Sequence, residues 1–122
     1  MRRRKTGPDL ATVELVRWRD RDTCRRCPRA GEQIHHRKPR GMGGTRDPRI
    51  NCPSNLVLLC SADHLWVETH RAQARDEGWL VSQWQDPARV PIVVGGRPTW
   101  LAEDGKAYPE MRGARDVHGP RV

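Results

Sequence analysis

The chain has no phenylalanine, and hydrophobic residues make up only 35% of its 122 positions. The apolar core available to a single domain of this length is therefore small. Five tryptophans have to do part of the filling. There is no apolar run of membrane-spanning length and no hydrophobic stretch of the signal-peptide kind. These absences predict a soluble, cytoplasmic protein without a membrane partner, in a compartment where thiols stay reduced and available to metal. No internal repeat is present. Acidic balance is missing as well, because the net charge is +8 and unevenly placed. From Met1 to Arg49 there are 15 lysines and arginines against 6 acids, whereas from Ile50 to Val122 there are 8 against 9. A surface that faces a polyanion is expected to come from the N-terminal half, and a phosphate backbone is the natural partner.

Cysteine is scarce, with four in all. Cys24 and Cys27 stand two residues apart, the spacing of one knuckle of a structural zinc site. Alone, such a pair is equally a redox pair or chance. Cys60 offers a third thiolate after the apolar run Leu56 to Leu59. Thiolate and imidazole donors favour zinc or another transition metal. The fourth ligand is open among Asp63, Cys52 and His70. The competing reading is a set of merely buried cysteines.

Two histidines, His35 and His36, are adjacent. Neighbouring side chains of an ideal strand point to opposite faces. Both can serve one site only where a strand ends or bulges, and Arg37-Lys38-Pro39 supplies such an ending. Imidazole titrates near neutral pH, so it can take a proton from water. The loop that follows, Arg37 to Ser54, is long for a compact domain, as functional loops often are. Gly41, Gly43 and Gly44 allow a ligand close to its backbone. Arg37, Lys38, Arg40, Arg46 and Arg49 supply cations along it, and the first four are read as nucleic-acid contacts.

The order Cys-x-x-Cys, His-His, Asn55, Cys60, His64 resembles that of the HNH endonucleases, over roughly residues 17–78. The long form found in phages of actinobacteria looks most similar. The resemblance implies an α+β, ββα-metal domain with a zinc-braced knuckle, acting on DNA. It implies His36 as general base, and His35 and His64 as ligands of a divalent ion such as Mg2+, Mn2+, Ni2+ or Zn2+. Asn55 would pin the loop and help orient the base. Structural Zn2+ would sit on Cys24, Cys27 and Cys60. In such relatives a cysteine or histidine usually stands where this chain has Asp63. Products with 5′-phosphate and 3′-hydroxyl ends are implied, in the host-cell cytoplasm for a phage-encoded enzyme. Some phage relatives work beside the terminase, which makes terminase subunits a candidate partner. A different class of reading is a zinc-stabilised nucleic-acid-binding module without cleavage.

Along the chain, residues 1–8 read as a basic flexible arm built on Arg2, Arg3, Arg4 and Lys5. Residues 9–80 read as the nuclease domain, 81–110 as a strand and hairpin extension, and 111–122 as a disordered tail that includes His118. A helix is expected from Pro8-Asp9 to near Asp22, with Leu10, Val13 and Val16 on its apolar face, widened by Leu15 and Trp18. Strands are expected at Gln33 to His36 and at Leu56 to Leu59, the second buried on both faces. A helix capped by Ser61 runs to about Glu77 and stops at Gly78. On it His64 and Glu68 share a face, which leaves Glu68 as a further ligand, a brace or a plain exposed acid. Trp66, Trp79 and Trp84 are expected in the core. Trp79 to Trp84 and Pro91 to Val94 read as strands around an Asp86-Pro87 turn. A hairpin is expected across Glu103-Asp104-Gly105.

Overall fold

The computed structural model describes residues 7–39 and 47–111. Arg40, Arg46, the three loop glycines, residues 1–6 of the basic arm and residues 112–122 of the expected tail, His118 among them, lie outside these described residues. The chain is a small α+β domain with short antiparallel strands. In order it runs α1 (Leu10–Arg19), β1 (Gln33–His36), β2 (Leu56–Leu59), α2 (Ser61–Thr69), α3 (Arg71–Asp76), β3 (Ile92–Val94), β4 (Arg97–Leu101) and β5 (Ala107–Tyr108). Short 3-10 turns occupy Pro53–Asn55 and Pro87–Arg89. Among the described residues no helix is long and apolar enough to cross a membrane.

Asp9 starts α1, its side chain accepting the Thr12 N–H at 2.8 Å. The helix is shorter than expected, and it buries Val16 while leaving Leu10 and Trp18 exposed. Its C-terminal end is anchored by charge rather than by an apolar stripe. Arg19 grips the Asp20 carboxylate through Nε at 2.7 Å and Nη2 at 2.9 Å. The same guanidinium donates to the carbonyls of Pro53 and Leu56, and Asp20 accepts the Leu58 N–H at 3.0 Å. This buried pair therefore ties α1 to β2, with every polar atom used.

β1 and β2 pair antiparallel, with Gln33 opposite Leu59 and His36 opposite Leu56. All four β2 residues are buried, as the unbroken apolar run predicts. Gly31 lies so close beneath the hairpin that an added Cβ would sit 2.2 Å from Leu58. The core gathers Val57, Leu59, Val67, Ala74, Trp79, Leu80, Ile92 and Leu101, together with Cys24 and Cys60.

One expected helix is two. Cys60, not Ser61, caps α2, its Sγ accepting the Asp63 N–H at 3.4 Å. The helix breaks at His70 (φ −129°, ψ 55°). There the Thr69 hydroxyl bonds the carbonyls of Leu65 and Trp66, and the His70 ring contacts the Trp66 carbonyl. Side chains competing for helix carbonyls weaken continuation. Gly78 is the expected stop, at φ +85°, where a Cβ would strike the Pro91 carbonyl.

Trp79 to Trp84 is not a strand. Trp79 and Leu80 turn into the core. Ser82 then donates to the Gln85 side chain in a tight turn, and Trp84 is left 81% exposed. Of the three tryptophans expected in the core, only Trp79 is fully buried; Trp66 packs against its edge. The C-terminal strands form one antiparallel sheet in the order β3-β4-β5, with the 102–106 turn where the hairpin is expected.

Candidate metal centre and histidine cleft

Arg21 (φ 57°) and Asp22 (φ 53°) take left-handed backbone angles and turn the chain out of α1. The knuckle that follows is closed by a Thr23–Ala30 bridge and a Cys24 N–H to Arg29 carbonyl bond of 2.8 Å. The Arg25 N–H bonds the Leu58 carbonyl at 2.9 Å, which sets the knuckle against β2. Cys60 arrives at the end of β2, and Asp63 from the first turn of α2.

Cys24, Cys27, Cys60 and Asp63 converge, with their ligand atoms all within 4.8 Å of one another. Cys27 Sγ to Cys60 Sγ is 3.6 Å, Cys60 Sγ to Asp63 Oδ2 is 3.5 Å, and Cys24 Sγ to Asp63 Oδ2 is 3.1 Å. A tetrahedral zinc with ordinary bond lengths needs edges of about 3.5–3.8 Å. The group therefore could hold a metal ion such as zinc. Asp63 is the fourth donor. Cys52 instead points its thiol at the Pro48 carbonyl, and His70 stands exposed, stacked on Trp66 at 5.1 Å.

The electrostatics ask for a cation. The Asp63 carboxylate beside it, with burial adding, pushes the Cys27 thiol up to about 12. Burial likewise raises Cys24. Burial pushes the Asp63 carboxyl up too, but hydrogen bonds from Cys27, Cys24, Arg26 and Cys60 outweigh it and hold it at about 2. Cys24 and Cys27 thus keep their protons beside one carboxylate. A divalent ion would replace those protons. Arg26 holds Asp63 at 2.7 Å while its guanidinium lies 3.5 Å over the Trp66 ring, so the carboxylate has its own brace.

At the opposite end of the hairpin lies a cleft of about 300 Å³ lined by His35, His36, His64, Glu68 and Arg71, with Ile34, Pro39 and Leu80 completing its wall. The structure brings all three motif histidines to it. His36 ends β1, so the two adjacent histidines reach one site as the strand-end argument requires. The His35 and His64 rings are 5.3 Å apart between centroids, at 71°. His35 is buried, and its Nε2 lies 2.7 Å from the Trp79 carbonyl. A carbonyl only accepts, so Nε2 carries the proton and Nδ1 keeps its lone pair. Burial lowers His35 to about 4, against the pull of that carbonyl, and the neighbouring His64, His36 and Arg37 add to the lowering. The ring is therefore neutral near pH 7.

No family model, curated protein or solved structure matches this chain.

Asn55 is fully buried and pins the loop. Its Oδ1 accepts the Lys38 N–H at 2.7 Å, and its Nδ2 donates to the carbonyls of Lys38 and Ile50 at 3.2 and 2.9 Å. Among the described residues His36 meets the Asn51 side chain, with Oδ1 2.9 Å from Nε2. Sequence reasoning missed Asn51, because its only signal is a position four residues before Asn55. It also missed Arg71, which lies beside the histidines and pairs with Glu68 at 3.1 Å.

Arg37 and Lys38 are not surface contacts for a phosphate backbone. Both are essentially inaccessible. The Arg37 guanidinium donates to the carbonyls of Gly78, Ser54, Pro87 and Val90. Burial, with the Arg19 cation adding, pushes it down to about 9, which leaves it charged at neutral pH. Lys38 Nζ holds Asp47 at 2.7 Å and the Gln85 carbonyl at 3.0 Å. These two cations satisfy backbone carbonyls that the loops would otherwise bury unpaired.

Proposed function

We propose that the protein is a metal-dependent DNA endonuclease of the HNH type, with β1, β2 and α2 as its ββα-metal unit. Structural zinc on Cys24, Cys27, Cys60 and Asp63 braces the scaffold. The observation that carries the reading is the single cleft shared by His35, His36 and His64. Within it the tautomer of His35 leaves a ligand lone pair at Nδ1. A ligating histidine that donates its other N–H to a backbone carbonyl is the usual arrangement at metal sites.

In this reading His35 and His64 would hold one divalent ion. Such an ion would supply positive charge near the phosphate as negative charge develops there. His36 accepts a proton from the attacking water. Asn51 orients its ring by accepting a hydrogen bond from Nε2–H, which makes Nδ1 the basic atom. Water adds to phosphorus, the bond from phosphorus to the 3′ oxygen breaks, and that oxygen takes a proton from solvent. Arg71 donates to a non-bridging phosphate oxygen, a role that Arg37 and Lys38 cannot fill from the interior. Glu68 aims that guanidinium.

The test is supercoiled-plasmid cleavage by zinc-loaded protein with magnesium, manganese, nickel or zinc added, and with none. Nicking or linearisation that depends on the added ion is expected. Protein that binds DNA but cuts with none of these ions belongs to the alternative class, a zinc-braced binding module.

A further inference from the structure

Arg19, Arg37 and Lys38 are buried, so these three cations of the N-terminal half are not presented to a partner. A second cleft, of about 900 Å³, opens at the C-terminal end of α1, and it shares no lining residue with the histidine cleft. Arg17, Arg21, Arg25 and Lys106 line it, and Trp18 stands there 70% exposed. Its two carboxylates are already covered. Asp20 is held by Arg19 and Arg25, and Asp22 by Arg17 at 2.8 Å. The side chains of Arg21 and Lys106 have no hydrogen-bond or ion-pair partner among the described residues. Lys106 reaches this place because the hairpin turn docks on α1 so closely that a Cβ on Gly105 would sit 2.4 Å from Leu15.

A surplus of cations beside an exposed indole is the chemistry of single-strand binding. The cations track phosphates, and the ring stacks on a base that has no partner strand. In a duplex the base faces are covered by their neighbours, so Trp18 would find little to stack on. We infer that this cleft binds an unpaired DNA segment, with Trp18 stacked on one base and Arg21 and Lys106 on flanking phosphates. The proposal rests on DNA as the partner named above, and not on cleavage.

The experiment is fluorescence anisotropy of a labelled oligothymidylate and of a blunt duplex, with zinc-loaded protein and no added divalent ion. Trp18→Ala should weaken oligothymidylate binding about tenfold, the loss of one stacked base, and duplex binding by less. Trp18→Phe should recover most of the loss. The double variant Arg21→Gln, Lys106→Gln should flatten the slope of log K against log salt for oligothymidylate by about 1.4, two contacts at 0.7 each. All three side chains are exposed, so melting temperature and zinc content should not change, and these are measured alongside. Wild-type affinity in both Trp18→Ala and the double variant would overturn the proposal, as would equal losses on single strand and duplex. Protein that binds through Trp18 yet cuts nothing leaves this inference standing and removes the nuclease. Protein that cuts plasmid but ignores Trp18 does the reverse.

Discussion

The two ends of the β1–β2 hairpin carry two sites of opposite character. Asp63 and His64, neighbours in the first turn of α2, point one to each. At the Leu59 end, four donors close on one another and Arg26 covers the carboxylate. At the Leu56 end, three imidazoles line an open cleft with an acid and an arginine on its wall. A closed set of four is what a structural metal site needs, and a site with open positions is what chemistry needs. The β1–β2 hairpin joins the two groups of side chains.

Removing the closed site should have the largest effect. Metal-stripped protein, or Cys27→Ser, should melt lower by more than about 10 °C, because binding energy at such a site is folding energy in a domain with a thin core. Calorimetry with and without a chelator, beside elemental analysis for zinc, decides it. Equal melting temperatures would leave the cysteines as ordinary buried residues.

Breaking the open site should leave the closed one untouched. His36→Ala should cut about 10²–10⁴-fold more slowly while keeping zinc and melting temperature. His64→Ala should also lose cleavage, and excess divalent ion should recover part of it; the same excess should not help His36→Ala. Loss of zinc from either variant would show that the two sites are not separable.

Arg37 tests which kind of residue sits between them. Arg37→Ala should destabilise by about 3 kcal/mol, since it strands several buried carbonyls at once. It should leave the salt dependence of DNA binding unchanged. Denaturant unfolding and a salt titration measure the two quantities separately, and a change confined to the salt slope would return Arg37 to the surface.

The smallest effect is a pH dependence. His35 is neutral in the folded protein down to about 4, whereas unfolded histidine takes a proton near its ordinary value of 6.5. Between these values the unfolded chain binds more protons, so the contribution is complete above 6.5 and is lost as pH falls toward 4. Stability should drop by about 1 kcal/mol from pH 7 to 5.5 on this account. His35→Gln keeps a donor for the Trp79 carbonyl but cannot titrate, and should flatten the curve in urea unfolding at saturating zinc. An identical slope in both proteins would place the titration elsewhere.

Much of the local structure was legible. β1 and β2 have the expected bounds, Asp9 starts α1, Gly78 ends α3, and the last hairpin turns where expected. These features rest on signals a few residues long: an apolar run, a cap, a glycine that must take a positive φ. The histidine cleft was legible in part, because strand-end geometry is also local. The break at His70 was not, because it turns on a threonine hydroxyl and a ring competing for the carbonyls of the turn before.

The sequence by itself determined which residues can do chemistry and where the chain must turn. Cys24, Cys27, Cys60, His35, His36 and His64 carry side chains able to ligate a metal or move a proton. Only the tertiary structure decided that Asp63, rather than Cys52 or His70, completes the cluster. Only it decided that Arg37 and Lys38 face inward while Trp18, Arg21 and Lys106 face out. A basic residue reads alike whether it meets phosphate or carbonyl. The carbonyls that claim Arg37 come from residues 54, 78, 87 and 90, as much as 53 positions along the chain. Burial of a charge is settled by what the rest of the fold leaves unpaired around it, and no local pattern carries that information.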